Sequence, residues 1–253
     1  MRVLHLTRDL PPHHRGGISA VVEGMVCASI GVGVHCAVVS FDGWRSVRHG
    51  AGPPPQRVHE ASGATVLRVK GQGHLEAARR YSSAFEPDVI HVHHSMLWDF
   101  AEEVLQEINV PILQTIHVLQ AEQNRLRGIE DRTLSLESQE RSLRGAHLIH
   151  APSKSVAERL THFYPWITAK VRIAPFGISL SEPTRDGLGL TPGFVLYAGR
   201  FADIKGTVEL FDTMMTVHRR APDTRWIIAG GIPENQKSER RWMRRWENFA
   251  PPE

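Results

Sequence analysis

The chain has 253 residues, of which 41% are hydrophobic and 23% charged, with a formal net charge of +3. This composition excludes disordered and fibrous classes and predicts a globular protein with a sizeable core, long for one domain and short for two full ones. The slight basic excess suits an anionic ligand or a membrane surface and is too small to imply nucleic acid.

Val3 to Thr7 predicts the first strand. Arg8 and Asp9 cut its apolar run short, so no signal peptide is expected, and no stretch reaches the roughly 20 apolar residues of a transmembrane helix. The loop RDLPPHHRGG follows, its turn fixed by Pro11 and Pro12. A helix comes next, with Ile18, Val21, Val22, Met25 and Val26 at helical spacing. Gly16 and Gly17 stand at its amino end, where bare backbone and helix amides favour an anion; by local pattern alone, a tight turn explains the pair better. The two cysteines, Cys27 and Cys36, have neither metal-ligand spacing nor a disulfide framework, so a reducing, cytoplasmic setting is expected.

His35 to Ser40 predicts the second strand, and the Pro- and Gly-rich stretch from Asp42 to Gln56 a long loop. Ala64 to Val69 is the third strand and Leu75 to Phe85 a helix. DVIHVHHS, from Asp88 to Ser95, is a strand ending in three histidines. His91 and His93 share a face and His94 turns away; with no carboxylate beside them, no metal site is expected. Asp99 to Ile108 reads as a helix, and Pro111 to His117 as a buried strand with His117 at the lip of the sheet, where capping or packing would explain it. Val118 to Arg144 predicts one or two helices with surface charges. Ala146 to Leu160 predicts strand, turn and helix, capped by Ser153 or Ser155, with Glu158 placed to complete a capping box on Ser155.

FVLYAGRFADIKG, from Phe194 to Gly206, is the most informative stretch. An apolar strand ends at Gly199, and Arg200, Lys205 and Gly206 follow before a helix over Thr207 to Arg220. Cations and glycines on the loop leaving a strand's carboxyl end suit a phosphate or diphosphate; ordinary surface charge is the plain alternative. Trp226 to Ala229 is a further strand, followed by Gly230 and Gly231. In SERRWMRRWENF, Trp242, Trp246 and Phe249 share a helical face flanked by arginines, read as a core face rather than a membrane or nucleic-acid helix.

GRFADIKG resembles the G-R-x4-K-G motif of retaining glycosyltransferases of the GT-B fold, family GT4. Other segments resemble that family in order: the glycine loop, the D-[VI]-[VI]-H-x-H strand, the strand ending in His117, the A-D-x-[IV]-[IV]-x-x-S stretch and the V-x-V-[IV]-P-N-G-[IV]-D segment. His147 replaces the usual Asp, and Phe176 and Ser179 replace Asn and Asp, which is read as a change in linker geometry. The resemblance implies an α/β, GT-B-like fold: a complete Rossmann-like, acceptor-side domain over 1–179, a linker over 180–193, and an incomplete donor domain over 194–253. It implies transfer of a sugar, with retention, from a UDP- or GDP-linked donor to a sugar or lipid-linked acceptor in glycan or glycoconjugate biosynthesis. Arg200 and Lys205 would hold the leaving diphosphate, Gly16, Gly17, Gly199 and Gly206 would border the phosphates, and His117 would orient the donor. Neither metal nor cofactor is implied. Lipid-linked acceptors and the basic Arg45, Arg48 and Arg57 raise the expectation of peripheral contact with the inner face of a membrane. The family's E-x7-E motif is not found after Gly231, so a truncated product, a fragment or one half of a split enzyme completed by a second chain is expected. A non-catalytic or partner-dependent half and a sugar-nucleotide epimerase of GT-B shape are the alternatives.

Overall fold

A computed structural model describes residues 1–8, 10–11, 16–41, 57–59, 63–69, 74–131, 133–178, 193–199, 201, 205–230 and 244. The chain divides into two compact units, Met1–Leu180 and Ser181–Glu253. The expected linker, 180–193, lies outside the described residues apart from Gly193. So do the loop over 42–56 and, apart from Arg244, the basic aromatic segment over 238–249.

The strands of the first unit are β1 (Arg2–Thr7), β2 (His35–Ser40), β3 (Arg57–His59), β4 (Thr65–Arg68), β5 (Val89–Val92), β6 (Ile112–Thr115), β7 (Leu148–Ala151) and β8 (Val171–Ile173). They form one sheet in the order β3-β4-β2-β1-β5-β6-β7-β8, parallel throughout except that β3 runs antiparallel to β4. β3 was not expected: three residues are too few for a period-2 pattern to show. The helices are α1 (Gly17–Gly31), α2 (Leu75–Phe85), α3 (Trp98–Leu105), α4 (Gln120–Leu126), α5 (Leu134–Gly145) and α6 (Lys154–Phe163). Ser153 resolves the choice of cap for α6, its hydroxyl accepting the Val156 N–H at 3.2 Å. No helix among the described residues is long and apolar enough to cross a membrane.

Parallel sheets covered on both faces carry apolar side chains on both. One face here obeys that rule. Leu4, Leu6, Ile90, Val92, Ile112 and Ile149 are sealed from solvent and join Leu97, Trp98, Phe100 and Leu143 in the main core. Gly145 is part of that packing, since a Cβ there would lie 2.2 Å from the Trp98 ring. The opposite face follows the rule only near β2 and β4, where Cys36, Val38 and Val66 pack on Val22 and Val26 of α1. Further along, the register pairs His5 with His91 and Thr115 with His150. All four are buried, so a polar seam crosses the sheet where apolar residues would ordinarily lie.

The second unit contains β9 (Phe194–Ala198), α7 (Thr207–Arg220) and β10 (Arg225–Ala229), with β9 and β10 paired in parallel. Phe211 and Met214 of α7 are buried against Tyr197, Trp226 and Ile228. Val195 and Leu196 remain 43% and 55% exposed.

Candidate active site

The sheet reverses its order at β1, with β2 on one side and β5 on the other. Ligands of open α/β sheets bind beyond the carboxyl ends of the strands at such a point. There the first unit has a cavity of about 190 Å³. It is lined by Arg8 after β1, His93 and His94 after β5, Gln114 and His117 at the end of β6, and Gln139 of α5.

The His117 ring stacks on Phe176, with centroids 5.4 Å apart and planes 20° apart, and on His93 at 5.8 Å. Phe176 also meets His150 edge-on at 5.4 Å. The Phe at 176 therefore does more than change a linker's geometry: it braces His117. Burial, and secondarily His150, lowers the pKa of His117 to about 4. Burial, then Arg8 and His117, lowers that of His94 to about 3. Both rings are neutral at neutral pH, so each offers one N–H donor and one acceptor rather than a charge. His117 Nε2 and Gln114 Oε1 are buried and have no hydrogen-bond partner among the described residues. A ligand hydroxyl can donate to Gln114 Oε1 and can meet His117 Nε2 in either role.

Gly16 is the exposed N-cap of α1. Its N–H donates to Ser19 Oγ at 2.8 Å, and the Ser19 hydroxyl donates back to the Gly16 carbonyl at 2.9 Å. A Cβ added at Gly16 or Gly17 would meet none of the described residues within 4 Å, so their packing does not demand these glycines. The buried Arg68 at the end of β4 donates to the carbonyls of Leu10 and Pro11, fixing the chain that leads toward them. In the second unit the Gly199 N–H donates to the Ala229 carbonyl at 2.9 Å. Gly206, the N-cap of α7, has φ +68, a left-handed conformation costly for a residue with a Cβ. Lys205 is exposed beside that helix start, and Arg200 lies outside the described residues. The structure thus places Gly16, Gly17 and His117 in the first unit, and Gly199, Lys205 and Gly206 in the second.

The family model described as Glycosyltransferase Family 4 matches residues 15–182, well over half of the chain. The chain belongs to glycosyltransferase family 4. Among solved structures, sucrose-phosphate synthase from Thermosynechococcus elongatus is similar over 98% of this chain and 68% of its own, with TM-score 0.72 and 16% identity. HepE of Anabaena in complex with UDP-glucose, and in complex with UDP and glucose, gives TM-scores of 0.67 and 0.70 at 15% identity. Each of the two covers 98% of this chain and 66% of its own, so the family-4 chain spans about two thirds of the length of these structures. The likenesses establish the expected GT-B fold. A search of the curated proteins gives no match.

Two residues of this family-4 cavity escaped the sequence reading. Gln114 faces it from β6, in a strand read simply as buried. Gln139 lies in a stretch read as surface charge, yet it is 3% exposed. Its Oε1 accepts the Gln120 N–H at 2.8 Å and its Nε2 donates to the Val118 carbonyl at 2.7 Å, which holds the loop after His117. Gln120, Gln123 and Gln139, uncharged among Glu and Arg, were the signal.

Proposed function

We propose that this family-4 chain transfers a sugar, with retention, from a UDP- or GDP-linked donor to a sugar or lipid-linked acceptor. The observation that carries the reading is the polar cavity at the switch point, where His117 and Gln114 each hold a buried polar atom without a partner. Family membership supports glycosyl transfer, and the HepE complexes with UDP-glucose and with UDP and glucose support the donor class. In this reading Lys205, with Arg200, stabilises the charge that develops on the leaving diphosphate, and the amino ends of α1 and α7 add partial positive charge. His117, neutral, orients a sugar through hydrogen bonds rather than through charge. A lipid-linked acceptor would bring the chain to a membrane surface.

Calorimetric titration of the 253-residue chain with UDP and GDP tests the reading. A charge-assisted contact contributes about 1.5–3 kcal/mol, so Lys205→Ala should weaken nucleotide binding about tenfold or more. Equal affinities for parent and variant, or no binding of either nucleotide, would overturn it.

A further inference from the structure

We propose that His5, His91 and His93 form a binding site for a divalent transition-metal ion of the zinc class. β1 and β5 place His5 beside His91 in register, and His93 follows two residues on, toward the same face. One ring nitrogen from each of these buried residues lies within 4.8 Å of the other two. His5 Nδ1 and His93 Nε2 are 3.1 Å apart. Two imidazole nitrogens on a tetrahedral zinc ion, each at ~2.0–2.1 Å, are separated by ~3.4 Å. The nitrogen separations of up to 4.8 Å have to close, and the His91 and His93 rings, 4.1 Å apart at 32°, have to turn toward a common point.

The surrounding hydrogen bonds prepare His91 for that role. His150 Nε2 is 2.6 Å from the Ala174 carbonyl, which can only accept, so Nε2 carries the hydrogen. His150 Nδ1 then accepts from the Thr115 hydroxyl at 3.0 Å, and Thr115 Oγ1 accepts from His91 Nε2–H at 2.6 Å. The neutral His91 ring is left with its lone pair on Nδ1. Metal-bound histidines have their second nitrogen anchored in this way, which fixes tautomer and ring orientation.

In the absence of an ion, His5 Nδ1 and His93 Nε2 hydrogen-bond to one another at 3.1 Å, a contact that a shared ion would replace, while His5 Nε2 and His93 Nδ1 are buried without a partner among the described residues. Burial, the largest cause for all three, lowers His5 to about 4 and His91 and His93 well below their ordinary value, so the imidazoles are already in the ligating, neutral form. A donor set of three imidazoles and no carboxylate selects zinc, copper or nickel over magnesium or calcium. His93 also lines the cavity, which gives an ion a route from solvent, and three protein ligands leave a coordination position for water. The sequence shows two histidines on one face with no carboxylate beside them, which gave no expectation of a metal; a third histidine comes from the neighbouring strand.

The chelator-treated 253-residue chain should bind one equivalent of Zn²⁺ and gain about 5 °C or more in Tm at a hundredfold excess over Kd. Co²⁺ in place of zinc should show the intense visible absorption of a four-coordinate ion. His5→Asn should abolish both effects, and His162→Asn, at an exposed histidine, should leave them intact. The parent's cobalt spectrum decides the matter even if His5→Asn does not fold. A six-coordinate spectrum, no one-to-one binding, or binding that survives in folded His5→Asn would overturn the proposal. None of these readouts depends on transferase activity.

Discussion

In the first unit, β1 and β5 each have a partner on both edges, and Leu4, Leu6, Ile90 and Val92 are sealed from water. In the second, among the described residues, β9 and β10 pair with each other alone, and Val195 and Leu196 stay about half exposed. The same difference shows in where each unit holds its polar residues. The enclosed sheet carries His5, His91, His93, Thr115 and His150 within its layers and keeps the histidines His5, His91 and His93 neutral by burial. In the second unit Lys205 is exposed and Gly206, left-handed, stands at the start of α7.

The largest effect expected from this contrast is in the first core. Trp98 is 1% exposed at its centre. Trp98→Ala should cost about 3–5 kcal/mol, read from denaturant unfolding of the parent and the variant. A loss below about 1 kcal/mol would show that the first unit is not the tightly packed body described.

Acid should come next. A histidine with a depressed folded pKa takes up its proton more readily in the unfolded chain, so the unfolded state gains protons as pH falls below the ordinary value of 6.5. His5 and His117 sit at about 4 and His94 at about 3. Their contribution is complete above about pH 6.5 and is lost progressively down to those values. The Tm of chelator-treated protein should therefore fall steadily between pH 6.5 and 4. A flat Tm over that interval would contradict the depressed pKa values of the buried His5, His94 and His117.

The smallest effect belongs to the second unit. Leu196→Ala changes a side chain that is 55% exposed and should move stability by no more than about 0.5 kcal/mol. Amide exchange in β9, α7 and β10 should be faster than in β1 and β5, because few apolar contacts among the described residues protect them. Equal protection in the two units would remove the contrast.

Most of the fold was legible in the sequence because long elements announce themselves by period. β2, α2 and α7 begin and end where the pattern placed them. β3 was missed because three residues carry no period. The sequence nominates candidate site residues where a motif is contiguous, as at Lys205 and Gly206, or where a polar residue follows a buried strand, as at His117. Groupings that strand pairing builds are not legible in this way. His5 and His91 are 86 positions apart and become neighbours only through the register of β1 with β5. Phe176 was read as a linker change because nothing local shows that its ring will lie on His117.

The central claim, that the histidine-lined cavity receives the sugar of a nucleotide-sugar reaction, is tested most directly by saturation-transfer NMR on UDP-glucose and GDP-mannose. With the parent chain, sugar and nucleoside protons of at least one donor should both receive saturation. In His117→Ala the sugar signals should fall severalfold while the nucleoside signals persist. Sugar signals unchanged by His117→Ala would contradict the account.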